Sequence, residues 1–148
     1  MDAVTYPAEE VTEYVTENFV ALRVDYTKET DLLRKYRVNW TPTIVFLDMR
    51  GDKHYRIPGY LPPEVFRTHM VLARAKTAFE TSRYRDAFEL YDRIARESPD
   101  SEEAPQAIYF RGVSRYKETE DASHLDSAGE ELASRFPESE WTMRTRPW

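Results

Sequence analysis

Apolar residues recur along the chain at two different spacings, and the texture changes near residue 62. Val11, Tyr14, Val15 and Phe19 keep helical spacing, with Thr12, Glu13, Thr16 and Glu17 on the polar face. Pro7-Ala8-Glu9-Glu10 leads into them: proline suits a first helical turn, and acids favour the positive end of the dipole. Val20 to Asp25 reads as a short strand, broken by Thr27 to Glu29. Leu32, Leu33 and Tyr36 predict a helix over 30–36 with a buried stripe. Ile44 to Leu47 is an unbroken run of β-branched and aromatic residues, the signature of a strand buried on both faces. Pro42 stands just before it, where a missing N–H costs the ladder nothing. Met49-Arg50-Gly51-Asp52 then turns the chain, and His54 to Tyr60 reads as the returning strand. The resulting order, αβαββ, implies a sheet covered by helices.

After Pro62-Pro63 the pattern is helical throughout. Val65, Phe66, Met70, Val71, Ala75, Ala78 and Phe79 predict one long helix, broken near Thr81-Ser82-Arg83. The next helix turns Ala87, Leu90, Tyr91, Ile94 and Ala95 inward and stops before Pro99. A further helix carries Ala107, Ile108, Phe110, Gly112, Val113 and Tyr116, and a last one Leu125, Ala128, Leu132 and Phe136. Ser98-Pro99-Asp100-Ser101-Glu102 recurs as Phe136-Pro137-Glu138-Ser139-Glu140, so the two prolines lie 38 residues apart. Each copy would close a pair of antiparallel helices. Trp141 and Trp148 fall in a polar tail, where Trp148 reads as a flexible end.

Composition narrows the function classes. The 148 residues are 41% hydrophobic and 14% aromatic, enough for a core in one domain or two small ones. A net charge of −6 argues against nucleic acid or an anionic membrane as the main partner. No apolar run approaches the ~20 residues needed to cross a bilayer. The first residues are neither basic nor long enough to be a signal peptide, and a cytoplasmic location is expected. Cysteine is absent, which removes disulfides, thiolate chemistry and Cys-based zinc sites from these residues.

Three stretches resemble thioredoxin-like proteins: Asn18-Phe19-Val20-Ala21-Leu22-Arg23-Val24-Asp25, Tyr36-Arg37-Val38-Asn39-Trp40-Thr41-Pro42-Thr43, and Ile57 to Phe66. The resemblance covers about residues 1–70 and implies a cis Thr41–Pro42 bond facing a pair of redox cysteines that this chain lacks. It also implies that two strands and a Cys-x-x-Cys helix start would come before the part seen here. Met1 to Tyr6 is similar to a later turn of that same helix. The edges of Val20–Val24 and Thr43–Leu47 would then lie open and recruit another chain, giving a homo-oligomer, or the two strands would pair directly within one chain. The later helices resemble tetratricopeptide repeats, whose period is about 34. Tyr84, Ala87, Tyr91, Ile94 and Pro99 match their second helix, and Ala75 and Gly112 the close-packed small position of the first. The second copy is looser, with Gly129 inside its last helix. The expected fold is α/β thioredoxin-like with an incomplete sheet over 1–68, followed by an all-α helical-repeat extension over 69–148.

Little in the sequence points to catalysis. His54, His69 and His124 have no ligand spacing, and each reads as packed or solvated. Glu9/Glu10, Glu102/Glu103 and Glu130/Glu131 are sequence neighbours pointing different ways, and read as charges on wet helix faces. No phosphate-cradling loop or Gly-x-Ser-x-Gly elbow occurs. No catalytic residue, metal site or cofactor is therefore expected. Trp40 has two readings: it lines a groove for an extended peptide together with Thr41 and Pro42, or it packs over the sheet edge. The function expected is a non-catalytic protein- or peptide-binding module. The alternative is the C-terminal portion of a thiol–disulfide oxidoreductase whose Cys-x-x-Cys lies upstream of Met1.

Overall fold

Acidic Glu9 and Glu10 open the first helix, α1 (Glu9–Asn18), and its Val11 and Tyr14 turn inward. The computed structural model describes all 148 residues. In order, the remaining elements are α2 (Thr30–Lys35), β1 (Thr43–Leu47), β2 (Lys53–Pro58), α3 (Pro63–Glu80), α4 (Tyr84–Glu97), α5 (Ala104–Thr119), α6 (Ser123–Arg135) and α7 (Glu140–Arg144). The chain divides into two units, Met1–Arg67 and Thr68–Trp148.

In the first unit β1 and β2 form a two-stranded antiparallel sheet. Thr43 faces Pro58, Ile44 faces Ile57 and Phe46 faces Tyr55; Leu47 then faces Lys53, so His54 is the extra residue of a bulge. The turn before it is fixed by Asp48, whose Oδ1 accepts the N–H groups of Arg50 and Asp52. These bonds, led by the one from Asp52, hold the Asp48 carboxyl below the usual range. Gly51 takes φ +82° there, a conformation that costs a side-chain residue dearly. A chain of rings builds the core: Tyr14 to Phe19 at 6.3 Å, Phe19 to Phe46 at 5.5 Å, Phe46 to Tyr55 at 6.0 Å.

Three expectations for this unit fail, the first being burial of the Ile44–Leu47 strand on both faces: in a two-stranded sheet only its Phe46 is buried, and Leu47 is exposed. Val20–Asp25 is not a strand: Val20 to Val24 make no backbone hydrogen bond, and Val20 and Leu22 are 101% and 81% exposed. Apolar, β-branched composition favours a strand only where a neighbouring ladder exists, and β1 pairs with β2 alone. The buried stripe expected on the 30–36 helix is also missing, since α2 buries no residue and Leu32 is exposed.

In the second unit α4 packs on α5, α5 on α6, and α7 against both α5 and α6. Tyr91, Ile94, Ile108, Ala128 and Leu132 are fully buried between them. Small residues let the helices approach: a Cβ on Gly112 would stand 2.5 Å from that of Ala128. Arg111 ties three helices together, reaching Asp92 of α4 at 3.3 Å and Glu131 of α6. The duplicated sequence is a duplicated turn. Ser98 (φ −132°, ψ 54°) and Phe136 (φ −136°, ψ 56°) end α4 and α6 alike, each donating its N–H four residues back. Ser101 then bonds to Ser98 and Ala104 to Ser101, as Ser139 bonds to Phe136 and Thr142 to Ser139.

The tail differs from its sequence reading. Residues Glu140–Arg144 form α7, N-capped by Ser139, which accepts the Trp141 N–H at 3.2 Å. Trp148 is no loose end: its ring lies 4.7 Å from that of Tyr109 and it packs over Gly129, while Trp141 lies 5.3 Å from Tyr109. Aromatic area gained against α5 outweighs the entropy of a terminal residue. No helix is long and apolar enough to cross a membrane.

Candidate functional site

The loop ahead of β1 is built by hydrogen bonds that leave its outer edge open. Thr43 Oγ1 donates to the Trp40 carbonyl at 2.6 Å, and the Gly59 N–H donates to the Pro42 carbonyl at 2.7 Å. Arg56 Nη1 donates to the Arg37 carbonyl at 2.8 Å, anchoring the chain that enters the loop. Gly59 takes φ +90° where β2 leaves the sheet, and Tyr60 follows it exposed. Thr41–Pro42 is cis, as the resemblance implied.

Trp40, Thr41 and Pro42 are thus brought together on one pinned segment. Trp40 is 67% exposed, so it does not pack over the sheet edge. Thr41 is exposed and makes no hydrogen bond through its N–H, its carbonyl or its hydroxyl, while Pro42 is half-buried. The chemistry available is that of a binding edge: one free backbone donor, one free acceptor and an indole face. Tyr60, missed in the sequence reading, joins the loop through the Gly59–Pro42 bond. An aromatic residue straight after a strand-ending glycine was the signal that could have found it.

His54 and His69 lie apart from this loop in sequence, and each meets a carboxylate. His54 Nε2 is 3.3 Å from Asp48 Oδ2, and His69 Nε2 is 3.0 Å from Glu103 Oε1. Glu103 is therefore no wet-face charge: its side chain is mostly buried, and the bond from His69 holds its carboxyl below the usual range. Glu131 likewise lies against Arg111 and Arg135. No three side chains of metal-ligating type converge.

A family model described as a thioredoxin-like domain matches residues 1–74. The chain belongs to this thioredoxin-like family. Comparisons with curated proteins and with solved structures gave no match. The Trp40–Pro42 segment and the β1–β2 hairpin lie within the thioredoxin-like part, as does the start of α3. The remainder of the chain, outside the matched thioredoxin-like residues, is the all-helical extension.

Proposed function

We propose that this chain is a non-catalytic protein-binding module in which the thioredoxin-like unit presents Trp40, Thr41 and Pro42 to an extended peptide. The observation that carries the reading is the unpaired backbone of Thr41 beside an exposed Trp40, on a loop pinned from behind. An extended peptide pairing with Thr41 satisfies both groups, and the indole covers one of its apolar side chains. The helical extension is read as tetratricopeptide-like, supported by two turns of the same backbone geometry 38 residues apart. A cytoplasmic setting and a protein partner belong to this reading, and the charge of −6 supports the partner class over nucleic acid.

Selection of phage-displayed random peptides on the immobilised full chain tests it. The wild type should enrich peptides that Trp40→Ala does not, with unchanged far-UV circular dichroism. Equal enrichment by the two proteins, or none by the wild type, counts against the loop. Family membership favours a second reading, the C-terminal portion of a thiol–disulfide oxidoreductase whose Cys-x-x-Cys lies upstream of Met1. In-frame translation of the preceding DNA decides it: a Trp-Cys-x-x-Cys run ending a few residues before Met1 supports the oxidoreductase.

A further inference from the structure

Charge around the candidate loop runs against that of the whole chain. From Lys35 to Tyr60 there are five Lys and Arg residues and two acids, in a chain of net charge −6. Both acids, Asp48 and Asp52, stand at the hairpin turn, the end of the sheet away from Trp40–Pro42, and Asp48 is engaged by His54. The next acid along the chain, Glu64, belongs to the first turn of α3. At the loop end two guanidiniums have no carboxylate partner. Arg37 is exposed, and its side chain makes no hydrogen bond, ion pair or ring contact. Arg56 is also exposed and uses only Nη1, on the Arg37 carbonyl at 2.8 Å, which sets its guanidinium beside the Arg37 backbone. By contrast Arg23, Lys28 and Arg34 of the same unit each meet an aspartate.

Arg37 also stands where another residue fits the backbone better. The Val38 N–H donates to the Leu33 carbonyl at 2.8 Å, and the Arg37 N–H to the Arg34 carbonyl at 3.2 Å. Arg37, at φ 54°, is therefore the left-handed residue that closes α2. Glycine fills that position most readily, because it has no Cβ to strain the backbone. Arg34 and Lys35 already place positive charge in the last turn of α2, so the helix dipole does not call for a third cation.

We infer that the peptide taken by the Trp40–Pro42 loop is acidic, with a carboxylate held by Arg37 and Arg56. The inference rests on the peptide-binding reading above and names the chemistry of its partner. Arg37 precedes Thr41 by four residues, so at most about 14 Å of backbone separates them. An extended peptide advances about 3.3 Å per residue, so a carboxylate within about four residues of the one paired with Thr41 reaches these guanidiniums. Guanidinium and carboxylate then form charge-assisted hydrogen bonds, while the indole of Trp40 covers an apolar neighbour.

The probes are two pools of capped synthetic peptides, one carrying Asp and Glu where the other carries Asn and Gln, applied to the immobilised full chain. The wild type should retain the acidic pool about tenfold better at low salt, and the ratio should shrink at high salt. Arg37→Gly and Arg37→Gln should each bring the ratio toward one. Arg37→Gly should melt no lower than the wild type, which separates a lost preference from a lost fold. Arg146→Gln removes the same charge from an exposed, unpaired arginine of the second unit and should leave the ratio near that of the wild type. Equal retention of the two pools by the wild type overturns the acidic partner and leaves the peptide-binding reading standing; retention of neither overturns both. A fall for Arg146→Gln as large as for Arg37→Gln makes the effect one of net charge and overturns the inference. Displacement of the acidic pool by oligodeoxythymidine at equal concentration marks a general polyanion surface and overturns it as well.

Discussion

An alanine at Gly112 would test how closely α5 and α6 are driven together. Its Cβ would stand 2.5 Å from Ala128 Cβ and 3.0 Å from the His124 carbonyl oxygen. Carbon atoms pack best at about 3.5–4.0 Å, so the two helices must part by about 1 Å. Two effects then oppose one another. Replacing glycine inside a helix gains about 1 kcal/mol of propensity. Overpacking a core typically costs about 1–3 kcal/mol. Both obstructing atoms are fixed to the backbone, with no rotamer to turn away, so the upper part of that range applies and a net loss of about 1–2 kcal/mol remains. For a unit of this size the Tm should fall by about 4–15 °C. Urea unfolding of the full chain, followed by far-UV circular dichroism, measures the loss for Gly112→Ala, Ala128→Gly and the double variant. The double variant should be destabilised by less than the sum of the singles, with a coupling of about 1 kcal/mol or more. A Gly112→Ala protein as stable as the wild type, or more stable, would refute the steric argument.

Acid should weaken the second unit through Glu103. Its carboxyl is depressed chiefly by the hydrogen bond from His69, so it contributes stability above the ordinary carboxylate range and loses it as pH falls through the folded value. Thermal melts across acidic pH should show this slope, and Glu103→Gln should flatten it. Arg111→Ala removes the link between α4, α5 and α6 but leaves Asp92 with Arg96 and Glu131 with Arg135, and should cost about 1 kcal/mol by urea titration. Purified protein should show no reduction of insulin disulfides above a buffer blank, because the 148 residues contain no thiol. Turnover from protein free of contaminating reductase contradicts that.

Residues that follow a single local period were legible in the sequence. Val11 and Tyr14, Ala87, Tyr91 and Ile94, and Ala128 and Leu132 all lie buried where helical spacing placed them. The hairpin was readable for a similar reason, since its partner strand is a few residues away across a glycine turn. Val20–Val24 was misread because strand formation depends on a neighbour that local spacing does not reveal. Glu103 was misread because its partner, His69, lies far back in the chain, on α3. Trp148 was misread because the glycine that receives it, Gly129, looks like a helix defect until the tail folds over it. At the candidate site, the resemblance pointed to Trp40, Thr41 and Pro42 together. That Thr41 keeps its backbone groups free is a property of the folded loop alone.

The placement of the three tryptophans has an optical consequence. Trp40 stands in water in the first unit, whereas Trp141 and Trp148 sit against the rings of Tyr109 and Phe110 in the second. An indole in water emits at longer wavelength and meets a dissolved quencher freely. Trp141, half-buried against these rings, meets the quencher less freely than Trp40, and both indoles collect excitation energy from the tyrosine at 4.7–5.3 Å. The chain thus carries two spectroscopic channels of its own, one for each unit. Trp40→Phe leaves a protein whose emission follows the helical unit alone, and a quencher titration of the wild type reads the exposed loop without any added label.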